Sequence, residues 1–458
     1  MELKGKHIHF MGIGGIGISA LAALAKTEGA VVSGCDAAPG DPPPALAGCR
    51  ISRGHAPGHV TGAEPPVDML VHTSAVPPNH PEVAAAGARA MRRGPFLAQI
   101  LEGRQVVGVC GAHGKTTTTW MISRIFIEAG LNPTVLLGGV AAPLGGNFRA
   151  GGPLTVGEMD ESDGTFLLPK LETGVVTNIE AEHLAYYGNL ESVVAAFARF
   201  AGKLATSGNL VACLDNPHAA RIFATHPGRK AGYGLDAPAA AGHWHARDWR
   251  AAGGRQVAEV WHGETRVGTL ELPFIGRHNV LNALAALAVA DLYGVAMGKA
   301  LAALRDCPGV GRRWEKLGER GGTTYYSDYA HHPTEVAATL RGAQELGCGR
   351  VLVAFQPHLF SRTRDNAPGF AQALAAGADK ALVADVYPAR ELPIEGVTSA
   401  LITAAMPDDK LLFPAPLPAP EAVKRALAAE GFNTVVFMGA GDMDGMARAA
   451  LSGPVANP

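Results

Sequence analysis

The stretch VVGVCGAHGKTTTTW, residues 106–120, decides the fold of the middle of this 458-residue chain. It reads as a buried strand, a glycine-rich loop and a helix, the order in which a parallel sheet presents a loop to phosphate groups. The strict G-x-x-x-x-G-K-[ST] spacing fails, because position 109 is valine. The shorter loop keeps the chemistry, since glycines let backbone N–H groups turn toward phosphate oxygens and the helix N-terminus adds positive potential. The stretch therefore predicts an ATP site.

Each residue type in this loop suits that site. Lys115 supplies a positive charge, and the Thr116 hydroxyl can reach Mg²⁺. A glycine-rich turn with a solvated lysine is the alternative, but the strand, loop and helix stand in the right order. The residues predicted to surround the nucleotide here are Gly111, Ala112, His113, Gly114, Lys115, Thr116 and Thr117.

Two acidic loops offer the hard ligands that Mg²⁺ needs beside the phosphates. GEMDESDG ends one strand and contains Glu158, and NIEAEHLAYYG follows the next strand and contains His183. Because parallel strands end at a common edge, both loops should lie beside the phosphate loop. Acidic turns in water are the alternative interpretation.

A second glycine pattern lies earlier, in HFMGIGGIGISALA, residues 9–22. Gly12-x-Gly14-x-x-Gly17 follows one predicted strand and opens a helix, and the next strand ends at Asp36. Asp36 stands 19 residues past Gly17, where a dinucleotide-binding protein holds a ribose. The motif alone leaves an NAD(P)-dependent dehydrogenase open, and a non-enzymatic nucleotide switch is a second alternative.

The alternation of strands and helices predicts an α/β protein with three domains in series. We expect an N-terminal Rossmann-like domain at 1–104, a central P-loop-type mononucleotide-binding domain at 105–306 and a C-terminal Rossmann-like domain at 307–458. Residues 241–273 alternate like an antiparallel excursion within the central domain.

The composition of the chain argues against several classes of function. A formal net charge of −2 without long basic runs argues against nucleic-acid binding. Apolar stretches of the length needed to span a bilayer, about 18 residues, are not found in the sequence. Six scattered cysteines without a C-x-x-C motif favour a reduced, cytoplasmic protein.

The motifs taken together resemble the Mur ligases, the ATP-dependent enzymes that build the peptide of bacterial peptidoglycan. The resemblance covers essentially the whole chain, and it is most similar to the branch that joins L-alanine to UDP-N-acetylmuramate. A sister ligase that attaches a recycled murein tripeptide to the same sugar is the alternative, although the GIGGIGIS loop favours the alanine enzyme. The motifs are HFMGIGGIGISALA, GAHGKTTTT, EMDESDGTF, TNIEAEHLAYYG, GRHNVLNALAAL, GVGRRWE, YSDYAHHPTE, FQPHLFSRT and MGAGDM.

The resemblance implies roles in the first two domains. The first domain would bind the UDP part of the sugar, so its glycine loop would cradle a pyrophosphate and no nicotinamide. Thr116 and Glu158 would ligate one Mg²⁺ and His183 a second, while Asn279 and Asn282 would contact the adenine side. The implied substrate-binding residues of the first domain are Gly12, Gly14, Gly15, Gly17, Asp36 and Ser74.

In the third domain the resemblance implies that Arg313 reaches the phosphates and that Asp328 works with it. Tyr329, His331 and His332 would lie where ATP and the incoming alanine meet, although the two histidines could equally form a packed loop. Asp328 or His332 is the candidate base for the amine. The residues predicted to act in catalysis are Lys115, Arg313, Asp328 and His332.

Three departures from the family pattern limit which residue roles can be transferred from the family to this chain. Glu182 and Ala185 stand where relatives usually carry aspartates, and Gly94-Pro95 stands where an acidic residue is usual. No lysine lies between Tyr187 and Gly202, so no carbamylated lysine is assigned.

Overall fold

The computed structural model describes residues 1–73, 76–77, 79–204, 208–236, 242–389 and 391–452. Over these residues the strands form three sheets of five, ten and five strands. The chain divides into two compact units. The first unit comprises residues 1–249, 257–271 and 279–308, and the second comprises 250–256, 272–278 and the chain from 309 onward.

The first sheet is parallel throughout. Its strands are β1 (His7–Met11), β2 (Val31–Asp36), β3 (Arg50–Arg53), β4 (Met69–His72) and β5 (Ala90–Arg92), and its helices are α1 (Ile16–Thr27), α2 (Gly58–Thr61), α3 (Pro81–Ala86) and α4 (Arg93–Ile100). The strand order is β3-β2-β1-β4-β5. The chain reverses direction across the sheet at β1, so the crevice where such sheets bind ligands lies beyond the end of β1.

The second sheet begins with the strand of the phosphate loop. Its strands are β6 (Gln105–Cys110), β7 (Thr134–Ala141), β8 (Gly146–Arg149), β9 (Leu154–Glu158), β10 (Thr173–Val176), β11 (Asn209–Cys213), β12 (Arg229–Gly234), β13 (His243–Ala252), β14 (Arg255–His262) and β15 (Thr265–Leu272). Its helices are α5 (Lys115–Glu128), α6 (Leu184–Tyr187), α7 (Leu190–Gly202), α8 (Pro217–Thr225), α9 (Arg277–Leu292) and α10 (Met297–Arg305).

The order of this sheet brings three loops to one place. The strands follow the order β15-β14-β13-β12-β11-β10-β6-β9-β7-β8, and β6 pairs in parallel with both β9 and β10. Val109 is in register with Glu158, and Cys110 is in register with Val176. The loops that follow β6, β9 and β10 therefore start side by side, as the sequence predicted.

The predicted excursion is present at the far edge of the sheet. β13 and β14 are joined by Gly253 and Gly254, which have φ angles of 59° and 73°. Two successive residues with positive φ are typical of the two-residue turn of a β-hairpin, and glycine adopts that conformation without strain. β15 follows after a second two-residue connection.

The third sheet lies in the second unit. Its strands are β16 (Glu315–Arg320), β17 (Thr323–Asp328), β18 (Val351–Phe355), β19 (Lys380–Val383) and β20 (Thr434–Met438), and its helices are α11 (Pro333–Glu345), α12 (Phe360–Gly377), α13 (Ala400–Thr403), α14 (Ala419–Leu427) and α15 (Met443–Ser452). The order is β16-β17-β20-β18-β19, with β16 antiparallel to β17 and the remaining pairs parallel.

The predicted fold class is confirmed by these three sheets, although one edge strand of the third sheet runs antiparallel. The domain boundaries at 104 and 306 stay predictions. Among the described residues, no helix has both the length and the apolar character needed to cross a membrane.

The core of the first unit includes a cluster of three buried phenylalanines. The ring of Phe166 lies 5.1 Å from that of Phe197 and stacks on that of Phe200 at 5.3 Å. All three side chains are buried, so this cluster ties α7 to the loop that follows β9.

We expect Phe197→Ala to destabilise the first unit by about 3–5 kcal/mol, because truncation removes apolar contacts and leaves a cavity. Val140→Ala is the control, since the Val140 side chain is 48% exposed and its truncation should change stability by less than about 0.5 kcal/mol. Urea unfolding followed by circular dichroism measures both variants. Equal midpoints for the two variants would show that the cluster does not stabilise the unit.

Candidate functional site

The phosphate loop turns sharply between β6 and α5. Gly111 has a φ of 134° and Gly114 a φ of 85°, both in a region that side chains rarely adopt. A Cβ atom at Gly111 would lie 2.1 Å from Thr177 Oγ1, and one at Gly114 would lie 2.6 Å from Asn282 Oδ1. Both positions therefore require glycine for conformation and for space.

The loop that follows β10 holds the phosphate loop in shape. Ala112 N donates to the backbone carbonyl of Asn178 at 3.1 Å, and His113 N donates to Asn178 Oδ1 at 2.8 Å. Thr177 Oγ1 and Asn178 Nδ2 both donate to the carbonyl of His113. The amides of Ala112 and His113 thus fix the loop, and the first turn of α5, with Thr117, presents the helix N–H groups suited to an anion.

Lys115 lies at the start of α5 and is bound by an acidic partner. Its Nζ donates to Glu161 Oε1 at 2.7 Å and to the carbonyl of Gly111 at 2.6 Å. Burial alone would lower the pKa of Lys115, but the carboxylates of Glu161, Asp160 and Glu158 outweigh burial and raise it. The ammonium is therefore charged and already directed into the loop.

Thr116 and Glu158 meet as the order of the strands requires. Thr116 Oγ1 donates to Glu158 Oε2 at 3.1 Å, and the amide of Gly138 donates to Glu158 Oε1. The hydroxyl and the carboxylate are both hard oxygen donors, which is the ligand chemistry of Mg²⁺. The two predicted ligands of the first metal ion thus lie together at the end of the phosphate loop.

His183 lies at the same edge in a strained conformation. It has a φ of 57° and precedes α6, and its Nε2 lies 3.7 Å from Glu161 Oε1 and 3.6 Å from Glu182 Oε2. Glu161 is buried, and its second carboxylate oxygen accepts no hydrogen bond from the described residues. An imidazole beside a buried carboxylate with a spare acceptor oxygen forms a donor set that fits a cation.

Two further residues predicted to contact the nucleotide lie on α9. Asn279 and Asn282 are buried in its first turns, and Asn282 Nδ2 donates to Asn279 Oδ1 at 3.1 Å. Asn282 also lies against Gly114, so the two asparagines adjoin the phosphate loop. This position is compatible with the predicted contact to the nucleotide.

The first glycine loop follows β1. Gly12 has a φ of 79°, its amide donates to the carbonyl of Cys35 at 2.8 Å, and its own carbonyl accepts from Gly15 N. Gly15 is the N-cap of α1, and the loop from Gly14 to Gly17 is exposed. A helix N-terminus with an open glycine loop is a suitable site for a pyrophosphate.

Asp36 and Arg93 bound this first loop. Asp36 Oδ2 accepts from Gly14 N at 3.0 Å, so the carboxylate contacts the loop itself. A Cβ atom at Gly17 would lie 2.9 Å from Arg93 Nη1, and Arg93 Nη2 donates to Asp160 at 2.7 Å. Burial would raise the pKa of Asp160, but Arg93 and then Lys115 outweigh it and hold that pKa at about 2.

The predicted role of Ser74 in substrate binding falls outside the described residues.

Asp328, at the end of β17 in the second unit, is buried and anchored by backbone amides. Its Oδ2 accepts from Trp314 N at 2.8 Å, and its Oδ1 accepts from Ala330 N at 2.9 Å. Burial raises the pKa of Asp328, while the Arg313 guanidinium lowers it by a smaller amount. These bonds indicate that Asp328 positions the loop that carries Arg313.

Two other predicted residues of the second unit, Arg313 and His331, lie beside Tyr329. The Arg313 guanidinium lies 5.1 Å from the centre of the Tyr329 ring, and His331 Nδ1 lies 2.9 Å from the Tyr329 carbonyl. His332 is the N-cap of α11 and accepts from Thr334 N at 3.4 Å. His332 thus has a structural role, and its action as a base stays a prediction.

Two residues at these sites, Asn178 and Arg93, had no predicted role, and the pairing of Glu161, an acid of the predicted metal-binding loop, with Lys115 was not predicted either. Glu161 binds Lys115, Asn178 shapes the phosphate loop and Arg93 joins the loop after β9 to the neighbourhood of Gly17. Glu161 and Asn178 both follow strands that flank β6, so polarity at the ends of neighbouring strands is a signal that could have found them. No comparable pattern in the sequence indicates the role of Arg93.

Family models for the Mur ligases match three successive parts of the chain. The model for the Mur ligase family catalytic domain matches residues 7–104, the Mur ligase middle domain matches 109–290, and the glutamate ligase domain of Mur ligases matches 312–441. The family whose resemblance was inferred from the motifs is thus the one that these models match.

Individual relatives give the same assignment. A UDP-N-acetylmuramate–L-alanine ligase of Paenarthrobacter aurescens is 43% identical over 95% of this chain and 94% of its own, and one of Deinococcus radiodurans is 41% identical over 98% and 94%. The crystal structure of a UDP-N-acetylmuramate–alanine ligase of Thermotoga maritima matches with a TM-score of 0.82 and 28% identity over 97% and 98%. A murein peptide ligase of Psychrobacter arcticus matches with a TM-score of 0.73 and 25% identity over 99% and 100%.

We expect Lys115→Ala to weaken the binding of ATP by roughly tenfold to a hundredfold, because it removes a charged donor from the phosphate loop. Titration with a fluorescent ATP analogue in the presence of Mg²⁺ measures the change. Lys299→Ala removes an exposed lysine on α10 and should leave the affinity unaltered. Equal affinities for the two variants would contradict the assignment of Lys115 to the phosphates.

Proposed function

The chain belongs to the Mur ligase family, and from this we propose that it joins L-alanine to the lactyl carboxylate of UDP-N-acetylmuramate in peptidoglycan precursor synthesis. The family is ATP-dependent, and ATP becomes ADP and phosphate in the proposed reaction. All six cysteines are free, which suits the reducing cytoplasm where we place the enzyme.

The observation that carries the proposal is the presence of two glycine loops with different surroundings. The loop at Gly111–Thr116 lies beside Lys115, Glu158 and Glu161, as a nucleotide that reacts with the help of a metal ion requires. The loop at Gly12–Gly17 has an open helix N-terminus and one carboxylate, Asp36. We assign ATP to the former and the UDP group to the latter.

The chemistry explains why ATP is needed. A carboxylate does not accept an amine in water, because its carbonyl carbon is weakly electrophilic. One lactyl carboxylate oxygen attacks the γ-phosphorus of ATP, the bond to the bridging oxygen breaks, and ADP leaves. The acyl phosphate that results is attacked by the alanine nitrogen, which loses a proton as phosphate departs with the C–O electron pair. The products are the amide, ADP and phosphate.

Phosphoryl transfer requires the protein to align the reacting groups and to supply positive charge near the phosphates. Lys115 is held charged in the loop, so it can move from Glu161 to a phosphate oxygen over a short distance. Mg²⁺, when bound, would neutralise charge on the phosphates. Thr116 and Glu158 would hold one ion, and His183 would hold a second with help from the adjacent Glu161.

Arg313 is assigned to the ATP phosphates, and the residues around Tyr329 are assigned to the place where ATP and the amino acid meet. Arg313 and Tyr329 form a cationic and aromatic surface, and Asp328 holds the intervening loop through Trp314. Because both oxygens of Asp328 accept backbone hydrogen bonds, we favour a positioning role for it. His332 remains the candidate for taking the proton from the amine.

The decisive assay measures phosphate release from ATP with UDP-N-acetylmuramate and each of several amino acids in turn. We expect release, together with a UDP-sugar product heavier by one alanyl residue, when L-alanine is present. Glycine should react less efficiently, since the methyl group that it lacks contributes about 1–3 kcal/mol of discrimination. Serine, which adds a hydroxyl, should be rejected by a similarly modest factor. Product with a murein tripeptide and none with alanine would instead identify the sister ligase.

We expect Gly14→Val to raise the KM for the UDP-sugar by more than about tenfold and to leave the KM for ATP within about twofold. A side chain at position 14 would meet Asp36 Oδ2, 3.0 Å from the new Cβ, and would fill the pyrophosphate loop. Steady-state kinetics with each substrate varied separately measure this difference.

Gly40→Val is the matched control, because a Cβ atom there has open space around it in the same sheet's loops. It should alter neither KM. Parallel increases in both KM values of Gly14→Val would contradict the assignment of separate nucleotides to the two loops.

A further inference from the structure

A cluster of potential metal ligands lies beneath the first glycine loop, away from the residues of the proposed reaction. It consists of His9 on β1, Cys35 on β2, His59 on α2 and Glu82 on α3, and one ligand atom of each lies within 4.8 Å of all the others. His9, Cys35 and Glu82 are each at most 2% exposed. Four elements of the first sheet thus contribute one donor each to a single point.

Three of the six ligand-to-ligand distances, all measured from Glu82 Oε1, are slightly shorter than the edges of a coordination tetrahedron. Glu82 Oε1 lies 3.0 Å from His9 Nε2, 3.2 Å from Cys35 Sγ and 3.2 Å from His59 Nδ1. Zinc binds nitrogen and oxygen at about 2.0–2.2 Å and sulfur at about 2.3 Å, so its tetrahedral ligands lie about 3.3–3.7 Å from one another. Shifts of a few tenths of an ångström would accommodate the ion.

A buried chain of hydrogen bonds from His7 through Ser33 determines which ring nitrogen of His9 carries the proton. His7 Nδ1 lies 2.6 Å from the Pro65 carbonyl, which only accepts, so this nitrogen of His7 carries a proton. His7 Nε2 lies 2.7 Å from Ser33 Oγ, and in the tautomer with its proton on Nδ1 this nitrogen accepts from the Ser33 hydroxyl.

The relay continues from Ser33 to His9. Because the Ser33 hydroxyl donates to His7, its oxygen accepts from His9 Nδ1 at 2.8 Å. In the tautomer that donates from Nδ1, Nε2 of His9 lies 3.0 Å from Glu82 Oε1, and both of these atoms are acceptors. Two acceptors at that distance repel unless a cation lies between them, and that cation is either a proton or a metal ion.

We propose that His9, Cys35, His59 and Glu82 bind a zinc ion that holds the first sheet together beneath its glycine loop. Thiolate and imidazole ligands select Zn²⁺ over Mg²⁺, and two neutral imidazoles with two anions balance its charge. The relay through Ser33 orients His9, as the outer partners of metal-binding histidines do. A cavity of about 170 Å³ lined in part by His9 and His59 provides a path of entry.

The zinc ion would act on the glycine loop through β2. The Cys35 carbonyl accepts hydrogen bonds from Gly12 N at 2.8 Å and from Ile13 N at 3.2 Å. The next residue, Asp36, accepts from Gly14 N. The ion would therefore fix the backbone on which the loop rests, which is a structural role and separate from the reaction.

The test is metal analysis of the purified full-length protein in excess Mg²⁺, which occupies oxygen-rich sites. We expect one zinc ion per chain by mass spectrometry of the metal content. After replacement by Co²⁺, we expect the near-ultraviolet charge-transfer band of a thiolate bound to cobalt. An absence of zinc and of this band would show that a proton occupies the cluster, and it would overturn the proposal.

Matched serine variants locate the site. Cys35→Ser keeps a hydroxyl that can bond to Glu82, so a plain hydrogen-bond network tolerates it, whereas zinc affinity should fall by at least about a hundredfold and the cobalt band should vanish. Cys348→Ser, in the second unit, should change neither. Equal zinc binding by both serine variants and the wild type would overturn the proposal.

Two further variants keep the test decisive if Cys35→Ser does not fold. His59→Asn should also abolish stoichiometric zinc, and Ser33→Ala, which breaks the relay, should weaken zinc binding by about tenfold to a hundredfold. Circular dichroism confirms that each variant is folded. Undiminished binding in a folded His59→Asn variant would remove this histidine from the site and contradict the proposal.

Discussion

The parallel pairing of β6 with both β9 and β10 is the constraint on which the proposed ATP site depends. It brings the end of β9, with Glu158, to one side of the phosphate loop and the loop after β10, with Asn178, to the other. Asn178 fixes the phosphate loop through hydrogen bonds of its backbone and its side chain, while Glu158 accepts a hydrogen bond from the Thr116 hydroxyl. Register between strands, set by the pairing of buried residues, thus determines where the polar groups meet.

The two glycine loops share the same backbone chemistry, and we assign different tasks to them. Each turns through a glycine of positive φ into the N-terminus of a helix, where the N–H groups favour an anion. What differs is the surroundings: Lys115 with several carboxylates at one loop, and Asp36 at the other. A site for reacting phosphates needs charges that move or coordinate metal, whereas a site that only holds a pyrophosphate does not.

Residues that lie close in sequence to a strand end were predictable. Lys115, Thr116 and Glu158 follow from strand order and from the chemistry of their side chains, and the structure places them together. His332 shows the limit of this reasoning, since the same side chain that suits a base also caps α11. A sequence names the functional groups, but only the local hydrogen bonds show which of them are already engaged.

Contacts between distant segments could not be predicted. His9 and Glu82 lie 73 residues apart, and Arg93 and Asp160 lie 67 apart, with nothing in either local pattern to indicate the pairing. Such contacts arise from the packing of helices on a sheet, which depends on the whole core.

The ion pair of Lys115 with Glu161 affects the free energy with which a nucleotide would bind at the phosphate loop. In the structure the ammonium is neutralised by a buried carboxylate, so an incoming phosphate has to compete with Glu161 for it. If Lys115 turned to the phosphate alone, Glu161 would be left as a buried charge without its partner, which costs several kcal/mol. A cation that binds with the nucleotide removes this cost, because Glu161 and the adjacent His183 can then face the ion. The same carboxylates that would repel ATP alone would therefore make its binding at the proposed site depend on a divalent ion.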